Sequence, residues 1–253
     1  MTEGHARTRS GLTLLNWGMF RHRFVALLCA LMLLLIASPA LTSVGLLSRP
    51  KLGRITMAIV FGATLLAAVF AVARGRAAQV IAVLLGVPAI ILQGVNVLFE
   101  RDGIMIPTHL FALVFLAYTV CVLLGYLLSA DRVNVNTLCA SLCAYLLLGV
   151  LWAIGYSLLD MLAPNSFLLS FAAGKEGSLM RFGGEHSVNP LYYSFVTLTT
   201  LGYGDISPAS SMARMLAAIE AVVGQVYLTV LVARLVGLHI AQATNEKTRK
   251  TSV

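Results

Sequence analysis

The stretch best suited to chemistry is Thr199-Thr200-Leu201-Gly202-Tyr203-Gly204-Asp205, and what it offers is backbone oxygen. A dehydrated cation needs oxygen ligands in place of its water shell. Backbone carbonyls supply them when consecutive residues aim their oxygens one way. That aim requires backbone angles that glycine tolerates and L-residues resist. Thr200, Leu201, Gly202, Tyr203 and Gly204 fit the need. The glycines take the strained positions, Leu201 and Tyr203 pack away from the ion row, and the Thr200 hydroxyl adds an oxygen at the inner end. Before them, Leu191 to Thr199 predicts a short helix with Pro190 at its start. Its C-terminal end favours a nearby cation.

The elements that hold this stretch must do so inside a bilayer. The chain is 59% hydrophobic and only 11% charged, where a soluble domain carries about 25% charged residues. A spanning helix needs about 20 mostly apolar residues. Six runs qualify, at 24–46, 55–73, 77–98, 108–130, 137–159 and 211–237. The apolar stretch 189–201 is too short to span. Irregular backbone is tolerated at membrane depth only where protein buries it or it lines a wet path. The 189–201 stretch is therefore expected to be a re-entrant helix. The loop 160–188, with Gly174, Gly177, Gly183 and Gly184, is expected to be an irregular turret.

The formal net charge of +8 sits at the termini and in short loops. That is the pattern of membrane orientation rather than of a nucleic-acid face. Arg7, Arg9, Arg21 and Arg23 precede the first run, Arg74 and Arg76 follow the second, and Lys247, Arg249 and Lys250 close the chain. Both termini are expected in the cytoplasm, with Arg49, Lys51 and Arg54 as an outside exception. Residues 12–20 offer either a short interfacial helix or a loose tail. The first run, basic before and Ser38-Pro39-Ala40 after, has a cleaved leader as its alternative. The four cysteines, at 29, 121, 139 and 143, lie in apolar runs without metal-ligand spacing and are expected to be buried apolar groups.

Thr200-Leu-Gly-Tyr-Gly-Asp205 resembles the potassium-channel signature TVGYGD, with Leu201 for the usual Val or Ile. The context resembles the same family: Tyr192-Tyr193-Ser194 its pore-helix aromatics and serine, Thr199-Thr200 its paired threonines, and Pro208 its post-filter proline. The pore-module likeness covers about 137 to 240 and is closest to bacterial proteins with a two-helix ion-channel pore. The remaining spans resemble six-helix subunits only in number and layout. The resemblance implies an all-α membrane protein with six transmembrane helices, one re-entrant pore helix and a selectivity filter. Residues 1–23 would be a cytoplasmic segment, 24–130 a four-helix peripheral domain, 131–240 the pore domain and 241–253 a short cytoplasmic tail.

The same resemblance implies potassium ions at the carbonyls of Thr200, Leu201, Gly202 and Tyr203. It makes Asp205, Tyr192 and Thr199 filter supports and Gly224, nineteen residues after Asp205, the gating hinge. One signature per chain implies a homotetramer around the pore. The implied partners are potassium ions, lipid and identical subunits, not nucleic acid, with no cofactor and residence in the plasma or inner membrane. A departure from the family is Val196, where some members carry a glutamate brace.

Glu220, an acid inside an apolar span, is a functional candidate by position. Two readings are open: a filter support that faces the pore helix and hydrogen-bonds there, with a threonine such as Thr197 or Thr199 as one partner it could take, or a near-surface acid paired with Arg214. Gln225 and Thr229 either line the cavity or join helices. Arg234 either meets headgroups or belongs to the gate. The fourth span, 108–130, has no Lys or Arg, so voltage gating is not expected. His109 is expected at the membrane interface. The residues after the last span are too few for a ligand-binding domain.

The leading function is passive, potassium-selective conduction, with a weakly selective cation channel as the alternative. A transporter would show a second broken helix. An intramembrane hydrolase would need more than Gly155-Tyr156-Ser157, since Leu159 stands where its elbow needs glycine.

Overall fold

A computed structural model describes residues 23–43, 50–72, 76–99, 102–130, 132–169, 180 and 188–251. Its elements are α1 (Arg23–Ser43), α2 (Pro50–Val72), α3 (Arg76–Phe99), α4 (Asp102–Leu128), α5 (Val135–Leu162), β1 (Phe167–Leu169), α6 (Asn189–Leu198), β2 (Ile206–Pro208) and α7 (Ser211–Thr251). The predicted interfacial helix at 12–20, Arg49, the side chains of Lys51 and Arg54, and most of the turret lie outside the described residues.

Among the described residues, five helices are long and apolar enough to cross a membrane: Ile55–Val72, Arg76–Phe99, Gly103–Leu128, Val135–Leu162 and Ser211–Ala241. The sixth expected span differs. In α1 the apolar stretch is the shorter Arg23–Ala37. The helix itself continues through Pro39 to Ser43, and its 21 residues rise about 30 Å.

The helices pack in chain order, α1 on α2, α2 on α3, α3 on α4 and α4 on α5, and α1 closes the ring against α5. Leu27, Leu31, Leu65, Phe115, Leu116, Leu123, Leu147 and Ile154 form the buried seam. Small residues let the backbones approach, as is usual in membranes. A Cβ on Gly86 of α3 would stand 2.8 Å from Val69 of α2 and 3.2 Å from Phe115 of α4. The cysteines depart from expectation. All four are free, but only Cys143 is buried, while Cys29 and Cys121 are exposed on the outside of the single chain.

Helix α5 starts where Asn134 caps it, its side chain accepting the Thr137 amide at 2.9 Å. It is the most buried of the long helices, because the peripheral ring packs on one side of it and α6 on the other. Helix α7 lies chiefly against α5, α6 and β2. It runs 41 residues, well past the expected end at 237. Residues 238–251 contain neither glycine nor proline, so nothing in the sequence stops it.

Two three-residue strands were not expected. They pair antiparallel, Phe167 with Pro208, Leu168 with Ser207 and Leu169 with Ile206. The amide of Ala209 adds a bond to the Ser166 carbonyl at 2.8 Å. The chain leaving α5 is thereby fastened to the chain leaving the glycine stretch.

Candidate functional site

The site is built on a short helix ending in a bonded turn. Pro190 lies in the first turn of α6, where its missing amide costs nothing. At the other end the Thr199 amide bonds the Phe195 carbonyl at 3.1 Å and the Thr200 amide bonds Thr197 at 2.9 Å. The Leu201 and Gly202 amides both reach the Val196 carbonyl, at 2.9 and 3.4 Å. The peptide unit is planar and trans, so each amide turned back to the helix turns its paired carbonyl away from it. The carbonyls so directed belong to Thr199, Thr200 and Leu201.

The backbone beyond alternates in hand. Thr200, Gly202 and Gly204 have φ of 60°, 59° and 77°, whereas Leu201 and Tyr203 between them are not in the left-handed region. Glycine takes such angles freely, but a β-branched threonine does not. Thr200 is therefore held there by its surroundings. Leu201 and Tyr203 are 59% and 67% exposed in the single chain, which is unusual for large apolar groups beside so ordered a backbone.

Three side chains meet behind this strand. Tyr192 donates its hydroxyl to Asp205 Oδ2 at 2.7 Å, and its ring stacks on Tyr203 with centroids 6.5 Å apart and planes 7° from parallel. The hydrogen bond to Asp205 pushes the Tyr192 phenol up to about 12, so it remains a donor throughout the neutral range. Asp205 also accepts the Ile206 amide through Oδ1 at 3.0 Å. Thr199 turns its hydroxyl back to the Phe195 carbonyl at 2.6 Å. The Thr200 hydroxyl accepts from the Gln225 amide of α7 at 3.3 Å, and Thr229 donates to the Gln225 carbonyl.

Glu220 reaches the short helix α6, as the first reading expects, but through Ser194 rather than a threonine, and the pairing with Arg214 is not seen. It is fully buried, and its partners are neither Thr197, Thr199 nor Arg214. Tyr156 of α5 donates to Oε2 at 2.5 Å, and the Ser194 hydroxyl of α6 lies 2.6 Å from Oε1. Ser194 Oγ is also 2.7 Å from the Gly149 carbonyl of α5. Arg214 instead donates to the Pro208 carbonyl at 3.3 Å. Tyr156 and Ser194 are the residues that sequence reasoning missed as partners. Ser194 had been singled out only by resemblance, and Tyr156 only as part of a rejected hydrolase fragment. The available signal was two hydroxyl-bearing residues in apolar helices with an acid to share. Tyr156 further packs edge-on against Tyr193 and Phe167, centroids 5.0 and 5.5 Å away.

Three other residues have neighbours that the sequence did not name. A Cβ on Gly224 would collide with the Leu198 carbonyl oxygen, so in this structure the glycine admits α7 to the end of α6. Arg234 neither meets solvent alone nor stands apart from the helices. It donates to the carbonyls of Leu127, Leu128 and Ala130, at 3.0, 2.5 and 3.0 Å, capping the negative end of α4. His109 is buried, with Nδ1 2.8 Å from the Met105 carbonyl and Nε2 3.4 Å from Ser157 Oγ.

Residues 166–238 match the model of a family described as Ion channel. The match takes in β1, α6, the alternating strand, β2 and most of α7, less than a third of the chain. It supports an ion channel built on a frame of helices long and apolar enough to cross a membrane. No curated protein and no solved structure matches the chain.

Proposed function

We propose that this protein is a potassium-selective channel whose conducting unit is a homotetramer. The observation that carries the reading is the strand 200–204. Its first three amides, of Thr200, Leu201 and Gly202, are tied back to α6, and its hand alternates at Thr200, Gly202 and Gly204. Such a strand offers a ladder of carbonyl oxygens, and four around an axis surround a dehydrated cation at successive levels. The carbonyls of Thr200, Leu201, Gly202 and Tyr203, with the Thr200 hydroxyl, hold the ions; Tyr192, Asp205, Thr199 and Glu220 hold the strand. The exposed Leu201 and Tyr203, and the exposed Ile219, Val222 and Val226 of α7, are the surfaces identical subunits would cover.

Transport is passive and uses no resident cofactor. The fourth helix, without Lys or Arg from 108 to 130, makes the channel voltage-insensitive. Both termini face the cytoplasm across the plasma or inner membrane.

Purified protein in liposomes under opposed potassium and sodium gradients tests the reading. The expected reversal potential lies near the potassium equilibrium value and collapses in Tyr203→Ala. Robust current reversing near zero in the native chain would instead identify a weakly selective cation channel of the same architecture.

A further inference from the structure

We infer that Glu220 is present as the neutral acid, and that its proton is the donor that fastens the inner helix α7 to the pore helix α6. The inference rests on counting protons. Two short oxygen–oxygen separations meet at Ser194 Oγ, 2.6 Å to Glu220 Oε1 and 2.7 Å to the Gly149 carbonyl. Both are at or below the usual O–H···O length, so each needs a proton between its oxygens. A serine hydroxyl has one proton, and a carbonyl has none. The Tyr156 proton is already engaged on the other carboxyl oxygen, Oε2. The missing proton therefore belongs to Glu220 Oε1.

With that proton in place the chain of bonds is complete and runs one way. Glu220 donates to Ser194, Ser194 donates to Gly149, and Tyr156 donates to Glu220. An ionised Glu220 would take the serine proton for itself. Ser194 Oγ would then face the Gly149 carbonyl with lone pairs on both sides. The burial of the group agrees. Glu220 has no exposed surface, its two hydrogen-bonding side-chain partners are uncharged hydroxyls, and an isolated buried carboxylate is strongly disfavoured.

Glu220 is on this account a positioning residue. It touches no ion; it joins α7, α6 and α5 at Ser194, two residues from Tyr192, which itself holds Asp205 beside the filter. A carboxylic acid offers one donor and one acceptor here, and so does a primary amide. Glutamine can donate to Ser194 and accept from Tyr156 without rearrangement. Alanine can do neither. The consequence for ion selectivity rests on the channel reading above; the protonation state does not.

Infrared spectroscopy of the purified full-length chain at neutral pH decides the matter. The native protein should show a protonated-carboxyl stretch that disappears in Glu220→Gln. Glu220→Gln should keep the native Tm, while Glu220→Ala should lower it clearly. Absence of a protonated-carboxyl band from the native protein would overturn the inference without any variant. So would a Glu220→Gln protein as unstable as Glu220→Ala. If the band and stabilities come out as expected but liposomes carry no potassium current, the inference stands and the channel reading fails.

Discussion

The ring of α1 to α4 and the segment from α5 to α7 differ in how they use their polar groups. In the ring, Thr56, Thr64, Thr108 and Thr119 each donate to a carbonyl four residues back on their own helix. Between ring helices, Tyr118 donates to the Ala78 carbonyl at 3.0 Å and Thr64 reaches the Ala30 carbonyl at 3.4 Å. From α5 to α7, Thr199 and Thr229 also bond locally, but many polar side chains bond across elements: Tyr156 and Ser194 with Glu220, Tyr192 with Asp205, Gln225 with Thr200, and Tyr227 with the Ser141 carbonyl. Lipid gives helices no hydrophobic reason to associate, so a ring needs only close packing of small and apolar groups. A strand of left-handed residues has no such option and must be tied in place. The contrast shows where this fold needs one geometry and where it needs only contact.

The largest expected effect tests that contrast with one substitution in each region. Gly224→Val forces a side chain into the Leu198 carbonyl, a backbone atom that cannot turn aside. Gly125→Val on α4 meets no atom within 4 Å and faces outward. Overpacking of the first kind costs about 3 kcal/mol; the second should stay within about 0.5 kcal/mol. The yield of assembled protein by size exclusion, with its Tm, separates them. Equal losses would mean that the exposed face of α4 is itself packed in the assembled protein, and the comparison would fail.

Much of this division was legible in the sequence. Glycine spacing and the apolar runs located the alternating strand, the short helix before it and five of the long helices, because both signals depend on local chemistry alone. The end of α7 was not legible, since leaving the apolar run does not end a helix that lacks a breaker after Leu238. The partners of Glu220 were missed for a different reason. Sequence marks an acid in an apolar helix, but which hydroxyls reach it depends on the close approach of α5 and α6, where a Cβ on Gly149 would stand 2.6 Å from the Phe195 ring. The acceptors of Arg234 and the Ser157 neighbour of His109 were not legible for the same reason, because they lie on other helices or in a turn far along the chain.

A middle-sized effect sharpens the comparison. Tyr192→Phe keeps the ring stacked on Tyr203 and removes only the hydroxyl given to Asp205. A half-exposed hydrogen bond of this kind contributes about 1 kcal/mol. The potassium/sodium permeability ratio should fall roughly five-fold, as that energy dictates, with the protein still assembled. Tyr118→Phe removes a hydroxyl of the same type from the ring and should leave the ratio unchanged. Reversal potentials of the two variants in liposomes measure the difference. An unchanged ratio in Tyr192→Phe would mean that the tie to Asp205 is not what holds the strand.

The smallest effect belongs to the hydroxyls that serve only their own helix. Thr119 is fully buried in α4 and donates to Phe115 at 2.9 Å. Valine matches its shape, and the carbonyl it releases still has its helical amide. Polar contacts within membrane helices average about 0.6 kcal/mol, and the added apolar methyl offsets part of that. Thr119→Val should therefore shift the Tm little and leave potassium flux and reversal potential as they are. A flux change comparable to that of Tyr192→Phe would show that buried hydroxyls of the ring are coupled to the pore. The division between contact and geometry would then lie somewhere inside the ring rather than at α5.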